Sequence, residues 1–461
     1  MKEYDIIIIG GGGGTKFVTP AVALGLKVAI VEKEDLGGTC LNRGCIPSKM
    51  LIHPANVLTE ARDMAKYAIE HSGDFTVDWK ALVDRVSSEV DAESTKIATS
   101  YTKSEAIDYY HATATFKSDK VLVVDGGEIT AEVICIATGS RPSIPPIPGL
   151  EGTPYMTSRE ALTREDLPKD LIIIGGGYIG VELGHVYSTF GSQTTFFVRS
   201  TFLGNEDETI SEIFQSHMNK NFTVHYGTQE LNVSYDNGIF TVSGKGPDGK
   251  EVSQSSEALL VATGVVPNTD ELGLENTDIK TNKKGYITVN DYLQTDVADV
   301  YALGDCVGNY MFRHSVNFEA EFLVDNLFER DPQDMQKISY PPMPHAVFTA
   351  PEIAGVGKTE QELKSNGANY LAVTHEYVSS AQGMARIPEV GLVKLLIDKD
   401  SQRLLGAHII GQEAATMIHQ LILAATMKAT VKDLLKMIYI HPALPEIVRN
   451  ALRKADKELN S

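Results

Sequence analysis

Short runs of consecutive apolar residues punctuate this chain, and most of them end on glycine. The first is Ile6–Ile9, followed by the glycine run Gly10–Gly14. A continuous apolar run this short reads as a strand buried on both faces of a parallel sheet. Thr15–Leu24 then has helical spacing with Gly25 as its stop, and Val28–Val31 is a second strand closing on Glu32. Strand, glycine turn, helix and strand make a βαβ unit. Glycines at such a turn let a pyrophosphate reach the backbone at a helix N-terminus, and an acid after the second strand accepts hydrogen bonds from a ribose. Gly10, Gly12 and Glu32 are therefore candidate binding residues. Counted from Gly10, the third position of the G-x-G-x-x-G pattern is Thr15, a departure from the close-packing glycine.

The pattern recurs. LIIIGGGYIGVELG, starting at Leu171, gives Gly175, Gly177 and Gly180 between a strand and a helix. VICIATG ends at Gly139, and VATG at Gly264 echoes it. Two fingerprints, each with the same closing strand, predict a duplicated dinucleotide-binding fold. In the second unit the strand Gln193–Val198 ends on Val198, where an acid would hold a ribose diol, and Arg199 follows. A missing acid beside an arginine suits a 2′-phosphate, so NADPH is favoured over NADH. Glu206 and Asp207, a few residues on, would oppose that phosphate.

Between and after these units the pattern is less regular. Ala55–Ile69 and Trp79–Thr102 read as long helices. Thr113–Phe116, Lys120–Val124 and Glu128–Thr130 read as short antiparallel strands, and proline-rich Arg141–Gly152 as a linker. Tyr286–Val289 and Val300–Asp305 read as strands, with Asp305 leading towards a helix over Val316–Phe328. Past the prolines of Tyr340–Pro344, strands (Ala346–Thr349, Val390–Asp398, Leu404–Ile410) alternate with helices (Thr359–Ser365, Ala414–Met427, Val431–Met437). The expected architecture is α/β: two Rossmann-like dinucleotide-binding domains and a C-terminal α+β domain. Boundaries are placed at 1–145, 146–268, 269–339 (a segment returning to the first domain) and 340–461.

Composition narrows the partners. The 461 residues are 43% hydrophobic and 22% charged, an ordinary globular profile. A formal net charge of −20 argues against nucleic acid and anionic membranes. MKEYDIIIIG has no signal-peptide pattern, and no stretch has the length of a membrane helix. With four cysteines, a reducing cytoplasm is expected.

The candidate chemistry lies in Gly37–Lys49, GGTCLNRGCIPSK, where four residues separate Cys40 from Cys45. Pro47 is tolerated in a first helical turn, so Cys45 is expected at a helix start, where backbone N–H groups favour a thiolate. Lys49 falls one turn further on the same face. A cysteine pair so placed suits dithiol–disulfide exchange: one sulfur attacks a substrate disulfide and the other resolves the mixed disulfide. Neither Cys135 nor Cys306 repeats a paired ligand spacing, so a metal site is disfavoured. Near the C-terminus, IHPALPE places His441 and Glu446 around two prolines, a carboxylate–imidazole pair suited to acid–base work.

In this order, the glycine fingerprint, GGTCLNRGCIPSK, GGGYIGVE, ATG, ALGD, FTAPEIAGVG and HPALPE resemble the class I FAD-dependent pyridine nucleotide–disulfide oxidoreductases across essentially the whole chain. That group includes dihydrolipoamide dehydrogenase, glutathione reductase and mycothione reductase. The resemblance implies FAD held by Gly10, Gly12, Glu32, Gly139 and Asp305, with Lys49 by the flavin and ion-paired with Glu182. Gly175, Gly177, Gly180, Gly264 and Arg199 would hold the nicotinamide cofactor. Cys45 would face the flavin and Cys40 the substrate. His441, oriented by Glu446, would serve the cysteines of the other subunit, which implies a homodimer. No cysteine follows Cys306, so a C-terminal redox pair of the mercuric reductase or large thioredoxin reductase kind is missing. A small disulfide is therefore the expected substrate, in the manner of mycothione or glutathione reductase. The alternative is dihydrolipoamide dehydrogenase, a subunit of a 2-oxoacid dehydrogenase complex with a lipoyl-domain partner.

Overall fold

The computed structural model describes residues 1–461, the side chain of Pro332 excepted. Ile6–Ile9 lies in the middle of a seven-stranded sheet, within the strand Lys2–Ile9. That strand runs parallel to Val28–Glu32 on one side and to Gly127–Ile136 on the other, pairing Ile8 with both Ile30 and Cys135. Ile107–His111 and Val300–Ala302 extend the parallel part. Chain returning after the second unit thus completes the first sheet.

The second unit repeats the plan. Thr223–Tyr226, Gln193–Val198, Asp170–Ile174 and Ala258–Val261 form an all-parallel four-stranded sheet in that order. The duplication extends to backbone contacts. A Cβ on Gly10 would lie 2.2 Å from the Ala137 carbonyl oxygen, and one on Gly175 would lie 2.2 Å from that of Ala262. Both glycines have positive φ, 109° and 129°, so a side chain is excluded on two grounds. The Thr15 departure also has a local answer. Gly14 takes the close-packing position, since its Cβ would meet the Gly10 carbonyl oxygen at 2.4 Å. Thr15 opens the helix Thr15–Ala23, and its hydroxyl donates to the Gly12 carbonyl at 2.8 Å.

Several elements differ from the sequence pattern. Pro54 does not break the helix after Cys45, which runs unbroken from Cys45 to Arg62. Its Leu51, Ile52, Ala55 and Leu58 share a core with Val181, Leu183 and Val186 of the second unit, so one helix belongs to both. The strands expected at Glu128–Thr130 and Val133–Gly139 are one strand, Gly127–Ile136. Tyr286–Val289 forms no strand; Ile287 makes a single bridge to Thr281. Arg141–Gly152 is only partly a linker, because Ser140–Pro142 pairs antiparallel with Val265–Pro267. Three strands over 229–256 add an antiparallel sheet that the pattern did not reveal.

The C-terminal part is a five-stranded antiparallel sheet in the order Pro344–Val347, Ile353–Gly357, Leu404–Ile410, Leu392–Asp398, Tyr370–Glu376. The helix Glu446–Leu459 packs on it through Ile447, Val448, Ala451, Leu452 and Ala455, all fully buried. Burial of each large aliphatic side chain there contributes about 1.5–3 kcal/mol. Among the described residues, no helix is long and apolar enough to cross a membrane.

Candidate active site

Both glycine turns and the cysteine motif open into one cavity of about 2420 Å³. Cys40 sits on a short helix, Gly38–Asn42, and Cys45 is the first residue of the helix Cys45–Arg62. The approach is tight: a Cβ on Gly38 would stand 2.5 Å from Gly12 Cα, so only glycine lets the cysteine loop lie against the first glycine turn. Cys45 is exposed into the cavity and Cys40 half-buried. The two thiols influence each other's ionisation. Hydrogen bonding with the neighbouring Cys40 thiol, together with the Lys49 charge and the helix-start backbone, lowers the Cys45 pKa to about 7 against an opposing burial effect. The same hydrogen bonding, then burial, pushes the Cys40 thiol up, partly relieved by the charges of Arg313 and Lys49. The first proton lost by the dithiol therefore leaves from Cys45.

Lys49 Nζ lies 2.7 Å from Glu182 Oε2 and over the Phe348 ring at 4.6 Å from its centre. Glu182 is buried, and its other oxygen accepts the Phe348 N–H at 2.9 Å. The helix of the second unit thus fixes the lysine of the first.

The remaining predicted residues divide by place. Glu32 accepts hydrogen bonds from Gly11 N at 2.6 Å and Glu34 N at 2.9 Å, which closes the first turn. Asp305 accepts from the Ser140 hydroxyl at 2.6 Å, and burial raises its pKa, so its carboxylate is short of donors. Gly139 and Gly264 have φ of 68° and 113°, and a Cβ on either would meet open space. Gly177 caps the helix Tyr178–Phe190. Gly180 faces inward, where its Cβ would meet the Gly175 carbonyl oxygen at 2.7 Å. Val198 is buried and Arg199 exposed on the cavity wall. Glu206 and Asp207 do not face it as the sequence suggested. Both are buried: Glu206 is bound by Tyr178 and His345, Asp207 by Lys394.

His441 and Glu446 lie apart from the cavity. The His441 ring is 70% exposed, with Nδ1 3.0 Å from Glu446 Oε2, and Glu446 is 5% exposed. Burial works against the Glu446 charge. The Ala443 N–H, His441 and Arg449 outweigh it and hold the carboxyl below its ordinary pKa. Within one chain, the His441–Glu446 pair therefore lies outside the cavity that holds the cysteine pair. Among the described residues, no group of three or more His, Cys, Asp or Glu side chains is placed to hold a metal ion.

Family models match nearly the whole chain: pyridine nucleotide-disulphide oxidoreductase over residues 4–320, and the dimerisation domain of the same name over 343–452. The chain belongs to the pyridine nucleotide-disulphide oxidoreductases. It is 36% identical to mycothione reductase of Mycobacterium tuberculosis, over 98% of this chain and 99% of that protein. It is 33% identical to dihydrolipoyl dehydrogenase of Bacillus subtilis, over 98% of each. In structure it resembles the Cu(II) complex of the HOCl-induced flavoprotein disulfide reductase RclA from Escherichia coli, with a TM-score of 0.86, 27% identity, and 98% and 100% of the two chains covered. The family is FAD-dependent and uses NAD(P)H, so this chain is an oxidoreductase with a redox-active cysteine pair. The tight glycine contacts at Gly10 and Gly38, and the donor-poor Asp305, fit a dinucleotide lying along the first sheet. Tyr178, Phe312 and Arg313 also line the cavity. Tyr178 was visible inside GGGYIG but carries no charge pattern, and Arg313 lies between motifs, so sequence reasoning passed over both.

Proposed function

We propose that this enzyme reduces a low-molecular-weight disulfide at the expense of NADPH. The observation that carries this reading is the Cys40–Cys45 pair, with its first ionisation on Cys45, in the same cavity as both glycine turns. Bound FAD supplies the two-electron relay between nicotinamide and the cysteine pair. Gly10, Gly12, Glu32, Gly139 and Asp305 would hold it, with Lys49, steadied by Glu182, beside it. Gly175, Gly177, Gly180, Gly264 and Arg199 hold the nicotinamide cofactor.

The chain's own residues then divide the chemistry. Cys40 attacks one sulfur of the substrate disulfide, forms a mixed disulfide and expels the first thiol. Cys45 attacks Cys40 and expels the second thiol, leaving the Cys40–Cys45 disulfide. Because Cys45 carries the first negative charge, Cys40 needs a base to ionise. His441, oriented by Glu446, takes that proton and passes it to the departing thiol. Its separation from the cysteines within one chain supports a homodimer in which each subunit completes the other's site. The exposed apolar residues Leu423, Met427, Ile438 and Ile440 support the same assembly. We divide the chain at 145, 268 and 339, and place the enzyme in the cytoplasm, where a dithiol stays reduced.

Dihydrolipoamide dehydrogenase, with a lipoyl-domain partner, is the second reading, favoured by relatives such as the Bacillus subtilis protein. Assay of mycothiol, glutathione and lipoamide disulfides with NADPH and NADH separates the two. Faster turnover of lipoamide with NADH than of any other pair would overturn the first.

A further inference from the structure

Glu206 is a buried carboxylate, 1% exposed, that sits outside every motif described above. One oxygen accepts the Tyr178 hydroxyl, and the other lies 2.8 Å from His345 Nε2. Its backbone carbonyl accepts the Gln361 amide at 2.8 Å. Burial works against its charge, yet His345, Tyr178 and the nearby His408 hold its pKa below the ordinary range. Tyr178 belongs to the second glycine unit, whereas His345 and Gln361 belong to the C-terminal sheet and its helix. A buried carboxylate at such a junction needs full satisfaction, and here two of its partners come from a different domain from the third.

Tyr178 is also placed where a nicotinamide must pass. It opens the helix that follows the Gly175–Gly177 turn, one turn before Glu182, and its phenol feels the Glu182 charge. Its ring lies near-parallel to that of Phe312, 25° between planes and 6.1 Å between centres, and both line the cavity. A dinucleotide with its pyrophosphate on the glycine turn and its reactive ring towards Lys49 would run along Tyr178.

We infer that Glu206 and His345 are positioning residues for the nicotinamide pocket: they fix the Tyr178 ring and make the pocket's shape depend on the seating of the dimerisation domain. Neither touches the reacting atoms. Their effect is preorganisation, which lowers the ordering cost of binding and leaves the disulfide side of the cavity unaffected.

The inference rests on the proposed use of a nicotinamide cofactor, and its test separates the two. The FAD-loaded dimer and its Tyr178→Phe, Glu206→Gln and His345→Gln variants are titrated calorimetrically with NADP+ and with NAD+. Steady-state assays give KM for nicotinamide and for disulfide. Each single variant should weaken dinucleotide binding about tenfold, as expected for one hydrogen bond to a charged group. The Tyr178→Phe/Glu206→Gln double variant should be no weaker than either single one, because the two act as a unit. The disulfide KM should not move. Tyr178→Phe removes only a hydroxyl from the cavity wall, so its comparison with His345→Gln decides the matter even where Glu206→Gln fails to fold. Additive losses, unchanged dinucleotide Kd, or an equal change in the disulfide KM overturns the positioning role. A parent enzyme that binds neither dinucleotide overturns the cofactor reading and the positioning role with it. A parent that binds one, with variants that bind it equally well, overturns the positioning role alone.

Discussion

His441 and Glu446 are 3.0 Å apart, yet one ring lies in solvent while its carboxylate partner is buried at the start of a helix. An oriented imidazole on an open surface, outside the cavity of its own chain's cysteines, makes sense when a second copy covers it. Cys40→Ser and His441→Ala proteins should each be inactive. Mixed, dissociated and reassembled, they should regain activity through hybrid dimers that keep one intact site. Turnover of the mixture, compared with either parent, is the measurement; a mixture as silent as its parents would refute the shared site. Glu446→Gln should lower kcat by about 10²-fold or more, since it leaves the imidazole without its anionic partner.

The cysteine pair makes a pH prediction. The Cys45 pKa is lowered to about 7 in the dithiol form, below the ordinary thiol range, because the neighbouring Cys40 thiol and the Lys49 charge favour its anion. The sign follows directly: thiolate accumulates above that pH and is lost below it. Thiolate absorbance of the reduced protein should rise through about pH 7. Cys45→Ser should remove that step. Lys49→Met should move it to higher pH, by removing the cation that favours the anion. A step that survives in Cys45→Ser would reverse the assignment of the two sulfurs.

A third prediction concerns the joint between domains. Lys394 is 2% exposed, and its ammonium reaches Asp207 at 2.7 Å and Glu360 at 2.6 Å. Lys394→Met leaves Asp207, fully buried, without its cation, beside a Glu360 whose only remaining cation is Lys364 at 3.3 Å. Breaking one partner of a buried ion pair costs about 3–5 kcal/mol. The thermal midpoint should therefore fall, and adding Asp207→Asn should recover part of the loss. A midpoint equal to the parent's would place the joint's strength elsewhere.

How much of this was legible beforehand follows from the range of each interaction. Ile6–Ile9 and the run after Leu171 announced parallel strands because burial on both faces makes them apolar at every position. The cysteines and glycines announced chemistry because their spacing is local. The helix Glu446–Leu459 was missed although Ile447, Val448, Ala451, Leu452 and Ala455 sit at helical spacing, since charged residues crowd between them. Tyr370–Glu376 was missed as a strand because it lies at the edge of its sheet and is only partly buried. Glu206 and His345 are 139 residues apart, and nothing local to either predicts the other. Their pairing turned Glu206 from a supposed opponent of the cofactor phosphate into a support of the pocket.

That change bears on cofactor choice. Val198 ends its strand without an acid to hold a ribose diol, and Arg199 stands exposed on the cavity wall. The two acids that threatened a 2′-phosphate are turned away, Glu206 towards His345 and Asp207 towards Lys394. A guanidinium offers a permanently charged planar fork suited to phosphate. A charge-assisted contact is typically worth about 1.5–3 kcal/mol, and solvent exposure sets Arg199 at the lower end, about tenfold in affinity. NADPH should therefore exceed NADH in kcat/KM by roughly that factor. Arg199→Ala should raise KM for NADPH about tenfold and leave NADH nearly untouched, because NADH has no phosphate to lose. Val198→Glu combined with Arg199→Ala should invert the preference by supplying an acceptor for the ribose diol. Kinetics with both nicotinamides check each step. A parent that prefers NADH, or an Arg199→Ala variant equally impaired with both, would remove the 2′-phosphate reading and make dihydrolipoamide dehydrogenase the better account.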